Sequence, residues 1–469
     1  MTYNPHTEEN RKQMLKEIGV ERFEDLIPCV AEEIKLKKPL QLPKKLSELE
    51  LVTELKKVSE ENKNLSEYIN FLGAGIYDHF IPAAVDHIIS RSEFYTAYTP
   101  YQAEVAQGTL QVIYEFQSLI CHLTGMDVAN ASVYDGASAI AEAVLMAYSQ
   151  TERKKVIIPE NLHPYYTEVL YTYNSGLKLK VDSMGWKDGL IDLEQLKNKI
   201  DDKTAAVVVQ SPNFFGLIEN LKEIESLVHQ EGALLIVACD PISLGILKPP
   251  GEFKADIVVG EGQVLGNSMN FGGPLLGFFA TKRELIRKMP GRIAAATVDK
   301  NGNRGYVLTL QTREQHIRRE KATSNICTNQ GLLATAACVY LSLLGKNGLR
   351  KVAELCVQKS HYAVEQIEKI TGFKRRFPAP FFKEFVIQTP VPPSKIIKTL
   401  LKNKILAGVD LKSFKLGLDD CLLVCVTEKR TKAEIDNLIH NLRSMLAKQD
   451  YSSSAENKIE AEFENQRLK

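Results

Sequence analysis

Several things are scarce in this chain of 469 residues. It has a single Trp, and its eight Cys include no CxxC pair. A redox dithiol or thiolate metal site of that spacing is excluded. The scattered Cys, mostly inside apolar runs such as LLIVACD and CLLVCV, read as buried reduced thiols with no metal bound. Net charge is only +1, which gives no reason to expect nucleic acid or an anionic membrane as a partner. No uninterrupted apolar run approaches the ~18 residues of a membrane span. The opening MTYNPHTEENRKQML is too polar and charged for a secretory h-region. The expectation is a soluble, cytoplasmic protein. One further absence is local: no Lys stands between Lys254 and Lys282.

What is present is ordinary for a globular protein, with 44% hydrophobic and 25% charged residues. The length exceeds what one hydrophobic core serves, so two or more domains are expected. Residues 1–95 read as short helical pieces and Pro-broken linkers. Thr7 can cap a first helix with Glu8 and Glu9 at its positive end, although Asn10 stands where a full capping box wants Glu or Gln. The stretch LKKPLQLPKKL (36–46) is too Pro-rich for a helix and reads as extended. Thr99, followed by Pro100 and Gln102, reads as an N-cap with Pro100 as the first helical residue. Val105, Val112, Ile113, Phe116, Ile120 and Leu123 then recur at helical spacing until Gly125.

From there apolar runs alternate with helices. The candidate strands are 128–134, 155–159, 177–183, 205–211, 234–240, 256–261 and 274–281. Most are β-branched and lack polar alternation, as strands buried on both faces do. The pattern predicts an α/β fold with a mostly parallel seven-stranded sheet in a large domain, 96–330. A long helical stretch, Gly331 to Ile370, then leads into a smaller C-terminal α+β domain (331–450). Its strands are FFKEFVIQ and CLLVCVTE, and its helices lie near 394–403 and 432–447. The Ser-, Glu- and Lys-rich tail, 451–469, reads as disordered.

Five positions in the large domain could carry chemistry. Asp135 and Ser138 sit where a strand becomes a helix, either as a phosphate cradle or as a plain N-cap. His163 opens a helix with Pro164, and could stack on a flat cofactor or simply cap. Asp240 ends a strongly apolar strand, where α/β folds bind ligands. In pyridoxal-phosphate enzymes such an Asp pairs with the pyridine nitrogen; an N-cap for the turn after Pro241 explains it equally well. Gln263 follows, in a strand–turn–strand stretch (255–281) where aminotransferase-type enzymes keep the Lys of their Schiff base. Gln and Val cannot supply that amine, so either a partner supplies it or the pocket is empty. Arg313, His316, Arg318, Arg319 and Lys321 form a basic cluster that suits a solvated helix face or anion recognition.

Longer strings carry a resemblance. EFYTAYTPYQAEVAQGTLQ (93–111), SVYDGASA, GEGQVLGNSMNFGGP (260–274) and IRREKATSNICTNQ (317–330) resemble the P-protein of the glycine cleavage system, as do YNPHTEENRKQMLKEIGV and EEIKLKKPLQLP. The likeness runs from about residue 3 to about 447. More narrowly, the chain is similar to the alpha half of the split, two-subunit form of that enzyme.

The resemblance implies a pyridoxal-phosphate aminotransferase-like (fold type I) architecture, with the cofactor held by the homologous beta subunit. It also implies an alpha2beta2 assembly, glycine as substrate, release of carbon dioxide, and transfer of the aminomethyl remnant to the lipoyl arm of H-protein. Tyr98, Thr99, Tyr101, Gln102, Arg318, Arg319, Asn325 and Thr328 are then candidates for a cleft wall facing those partners. The alternative is a scaffold that only stabilises the beta subunit and docks H-protein.

Overall fold

The β-branched runs form one seven-stranded sheet because both of its faces are covered and nothing in them needs water. Its strands are β1 (Val128–Ala129), β2 (Lys155–Pro159), β3 (Lys180–Met184), β4 (Thr204–Gln210), β5 (Leu234–Ala238), β6 (Ile257–Glu261) and β7 (Gly277–Thr281). They lie in the order β1-β7-β6-β5-β4-β2-β3. The run β6-β5-β4-β2-β3 is parallel, and β7 pairs antiparallel with both β6 and β1. Strands β2, β6 and β7 are buried along their whole lengths. The computed structural model describes residues 5–38, 40–270 and 273–447. The tail expected to be disordered from Tyr451 lies outside them.

Two local expectations give way to tertiary structure. The run 128–134 yields only two strand residues. Ser132 takes a left-handed φ of 98°, and the Asn130 side chain accepts from the Ser132 N–H, which turns the chain toward the next helix. The helix expected from Pro100 begins instead at Gln107 and runs to Thr124. The Gln107 side chain donates to Ala103 O and Tyr306 O and accepts from Tyr306 N. Docking on the hairpin strand Arg304–Thr309 therefore fixes the start, overriding the Thr99 cap signal. Gly125, with φ 71°, ends the helix as expected.

The smaller sheet is antiparallel and includes Glu384–Gln388 and Cys421–Cys425, with Glu384 opposite Cys425. Helices Pro393–Leu401 and 432–447 accompany it. The long helix Gly331–Ile367 breaks at Gly345, whose φ and ψ are 54° and −172°. By length and composition it could cross a membrane, yet Ala334, Ala336, Ala337, Tyr340, Ala353 and Cys356 along it are core residues.

By contact density the chain divides into two units, Met1–Lys63 and Asn64–Lys469. In the first, helices Glu8–Ile18 and Glu48–Ser59 both start with closed capping boxes. Asn10 closes the first one, accepting from Thr7 N at 2.9 Å, so it does what Glu or Gln was expected to do. Neither helix buries a residue. Cys239, Cys338, Cys356, Cys421 and Cys425 are buried free thiols, but Cys29 and Cys327 are exposed, against the expectation for them.

Candidate functional site

Parallel strands end where a ligand would sit, and there Gln210, Cys239, Asp240, Gly260 and Glu261 line a cavity with Tyr77, Tyr166, Lys383 and Glu384. The cavity measures only ≈ 30 Å³, room for about two waters. The segment from Gly73 to His79 and the edge of the small sheet close it. Ala74 N and Tyr77 Oη both donate to the Glu384 carboxylate, at 2.7 and 2.6 Å.

The candidate residues all bond to the chain itself, and of the five it is Asp240 that lines the cavity. Asp135 caps helix Gly136–Thr151, accepting from Ser138 N at 2.7 Å, and Ser138 Oγ returns a bond to it. His163 does stack, but on Tyr166, with centroids 4.6 Å apart. Its Nε2 is 2.8 Å from Ala74 O. Burial pushes its pKa down to about 4, so the imidazole is neutral and Nε2–H donates. Gln263 clasps the backbone of Tyr77, accepting from its N and donating to its O. Asp240 takes the turn-capping role considered for it, and a lysine of the same chain stands where a ring nitrogen was considered. Asp240 accepts from Ile242 N at 2.9 Å, and its other oxygen lies 2.5 Å from Lys383 Nζ.

Lys383 is 2% exposed. Its ammonium also meets His79 Nε2 at 2.9 Å and the face of Tyr77, 3.7 Å from the centroid. Burial is the largest single influence and opposes its charge, but the Asp240 carboxylate together with the Cys425 and Cys356 side chains lifts its pKa above the ordinary lysine value. His79, Cys356 and Glu428 bring ligand-type atoms within 4.8 Å of one another. His79 Nδ1 and Glu428 are already bonded at 2.6 Å, and the lysine charge on the other ring nitrogen disfavours a metal ion.

A second polar centre gathers half of the cleft-wall candidates. Tyr98, Thr99 and Thr328 line a cavity of ≈ 120 Å³ with Asn329 and the first turn of helix Gly331–Ile367. Behind it lies Arg292, 2% exposed. Its guanidinium donates to Cys327 O at 2.6 Å, and to Thr328 Oγ1 and Tyr101 Oη at 3.3 Å. Arg292 Nε stands 3.7 Å from Glu314 Oε2 in a buried ion pair, and among the described residues Arg292 Nε, Arg313 Nε and Nη2, and Glu314 Oε1 are buried without a hydrogen-bond partner. Burial lowers the Arg313 pKa to about 10. Gln102, Asn325, Arg318 and Arg319 are exposed and line neither cavity. Of the basic cluster, Arg313 turns inward while Arg318 and Arg319 face solvent.

Residues 1–442 match the family model for the glycine cleavage system P-protein. The chain belongs to that family. A relative from Carboxydothermus hydrogenoformans, named "probable glycine dehydrogenase (decarboxylating) subunit 1", is 54% identical over 94% of this chain and 99% of its own length. A crystal structure of glycine decarboxylase (P-protein) of the glycine cleavage system, in inhibitor-bound form, matches with TM-score 0.87 and 40% identity over 95% of this chain and all of that one. The sphingosine-1-phosphate lyase of Burkholderia pseudomallei is 12% identical, with TM-score 0.64 over 92% of this chain and 98% of that one. It shares the fold alone. The architecture of this P-protein family member is the pyridoxal-phosphate aminotransferase-like fold type I.

Within that fold the residues present do not fit pyridoxal phosphate. No Lys follows β6 before Lys282, the seat on Asp240 is filled by Lys383, and the space left is about two waters. Lys383 is no substitute amine, because as a paired ammonium it carries no free electron pair for a Schiff base. Nothing in the sequence singles out Lys383, Glu261 or Arg292. The one available signal was a Lys–Glu pair inside the apolar run FFKEFVIQ, where charges are costly unless paired.

Proposed function

We propose that the chain is the half of a two-chain glycine decarboxylase that does not hold the cofactor. In this reading the homologous beta subunit carries pyridoxal phosphate, which supplies the electron sink for decarboxylation. The two chains assemble as alpha2beta2, and the aminomethyl group passes to the lipoyl arm of H-protein. One observation carries the reading. In a member of the glycine cleavage P-protein family, the cofactor-type pocket lacks its lysine and is narrowed to ≈ 30 Å³ by its own side chains.

This chain's contribution is then a wall of the cleft that glycine and the lipoyl arm enter. Tyr98, Thr99, Tyr101 and Thr328 are the residues for it, and Arg292 bonds two of them, Tyr101 and Thr328. The unmatched buried atoms around Arg292 support this choice, since such atoms are rare in finished cores and call for a specific reason.

The test is reconstitution. Purified chain, homologous partner and lipoylated H-protein are combined, and carbon dioxide release from glycine is followed. Activity is expected only with both chains together. Turnover by this chain alone with pyridoxal phosphate would sink the reading. If the partner alone turns over fully with free lipoate and with H-protein, the scaffold reading replaces it.

A further inference from the structure

At the start of helix Gly136–Thr151 the Gly136 N–H is taken by the Glu261 carboxylate and the Ser138 N–H by that of Asp135. Glu261 ends β6 and is 8% exposed. One of its oxygens accepts from Gly136 N at 2.9 Å; the other accepts from Gln263 N and Leu276 N, both at 2.9 Å. Three backbone donors converging on one carboxylate, one of them the first N–H of a 16-residue helix, make an anion seat. Gly136 provides the room, for a Cβ there would stand 3.1 Å from Glu261 N and 3.2 Å from Glu261 Cβ.

Across the same cavity, Lys383 presses its ammonium onto Asp240 at 2.5 Å. That is the place where a protonated ring nitrogen would otherwise sit. An anion fills the anion seat and an N–H cation fills the cation seat, both from the chain itself. Tyr77 and Tyr166 line the same cavity.

We infer that this pocket is self-liganded. The Glu261 carboxylate occupies the phosphate-type seat and the Lys383 ammonium occupies the seat on Asp240, so removing the Glu261 side chain turns the helix start into an acceptor site for inorganic phosphate. The inference concerns this chain by itself and stands or falls separately from the two-chain reading, which reconstituted activity tests.

Thermal unfolding of the full chain and of Glu261→Ala, at pH 8 with and without inorganic phosphate at matched ionic strength, decides it. The variant is expected to melt several degrees below the parent. Phosphate at tens of millimolar should raise the variant by about 3 °C or more while moving the parent by less than about 1 °C. An equal response in both proteins, or none in the variant, overturns the inference. Should the variant not accumulate folded, its refolding yield gives the same readout, higher with phosphate if the inference holds and unchanged if it does not. For the second seat, the parent is treated with pyridoxal phosphate and borohydride and its peptides are mapped. Labelling confined to surface lysines is expected; a labelled Lys383 overturns this half.

Discussion

The two polar centres of Asn64–Lys469 differ in one respect that separates structure from function. Around the strand-end cavity, Glu261, Asp240, Lys383 and Glu384 all find partners within hydrogen-bonding distance. Around Arg292 the charges of Arg292 and Glu314 do pair, at 3.7 Å, yet among the described residues four atoms on Arg292, Arg313 and Glu314 are buried without a hydrogen-bond partner. Satisfied charges in a narrow pocket rigidify a core, whereas orphaned polar atoms cost stability that folding alone does not require. The first centre is satisfied by the chain itself, and the second is the one proposed above to face a partner.

The largest test of this contrast is Lys383→Ala. Removing one partner leaves the Asp240 carboxylate buried and unpaired, so a loss of about 3–5 kcal/mol is expected in denaturant unfolding. A loss below about 1 kcal/mol would mean that the closed centre is not held by that pair.

A buried carboxylate that lacks a cation sharpens the point. Glu142 is 2% exposed, and burial pushes its pKa up to about 7 from an ordinary 4.5. The folded state thus binds the proton more tightly than the unfolded one. This group's contribution is fully present below about pH 4.5 and is lost as pH rises through about 7. Glu142→Gln should remove about 2–3 kcal/mol of that slope, read as the difference between the two proteins' unfolding curves from pH 5 to 8. Parallel curves would place Glu142 in a wetter site.

His163 runs the other way. Burial lowers its pKa to about 4, so its contribution is present above about pH 6.5 and is lost as pH falls through 4. His163→Gln should lessen acid sensitivity in that window.

Arg292→Ala should cut reconstituted turnover roughly tenfold, about 1.4 kcal/mol of barrier, with Arg292→Lys recovering only part because Lys lacks the planar fork. An unchanged rate would leave Arg292 a purely structural residue. The smallest effect belongs to the exposed pair. Charge reversal at Arg318 and Arg319 should leave unfolding within about 0.5 kcal/mol and weaken activity only with H-protein. Unchanged kinetics would take both off the cleft wall.

Much of the fold was legible in the chain. The runs KVIIP and DIVVGE announce their strands because parallel strands covered on both faces tolerate little else, and Gly125 announces a helix end through its left-handed φ. The start of the helix at Gln107 was not legible. It depends on a hairpin strand, Arg304–Thr309, that lies far along the chain, and a cap signal at Thr99 carries no trace of it. The candidate sites divide the same way. Asp135, His163 and Asp240 were visible as polar residues at strand ends, but their partners Ser138, Tyr166 and Lys383 decide whether such residues serve a ligand or the fold.

By itself the sequence determined the alternating α/β pattern, the family, and the lack of a lysine between Lys254 and Lys282. Only the tertiary structure decided that the pocket is narrowed by its own side chains. A carboxylate at the end of an apolar strand reads the same whether it faces a cofactor or a lysine. Which of the two it meets is settled when the start of strand Glu384–Gln388 packs at the strand ends and carries Lys383 onto Asp240, a contact between distant stretches of chain that no local pattern encodes.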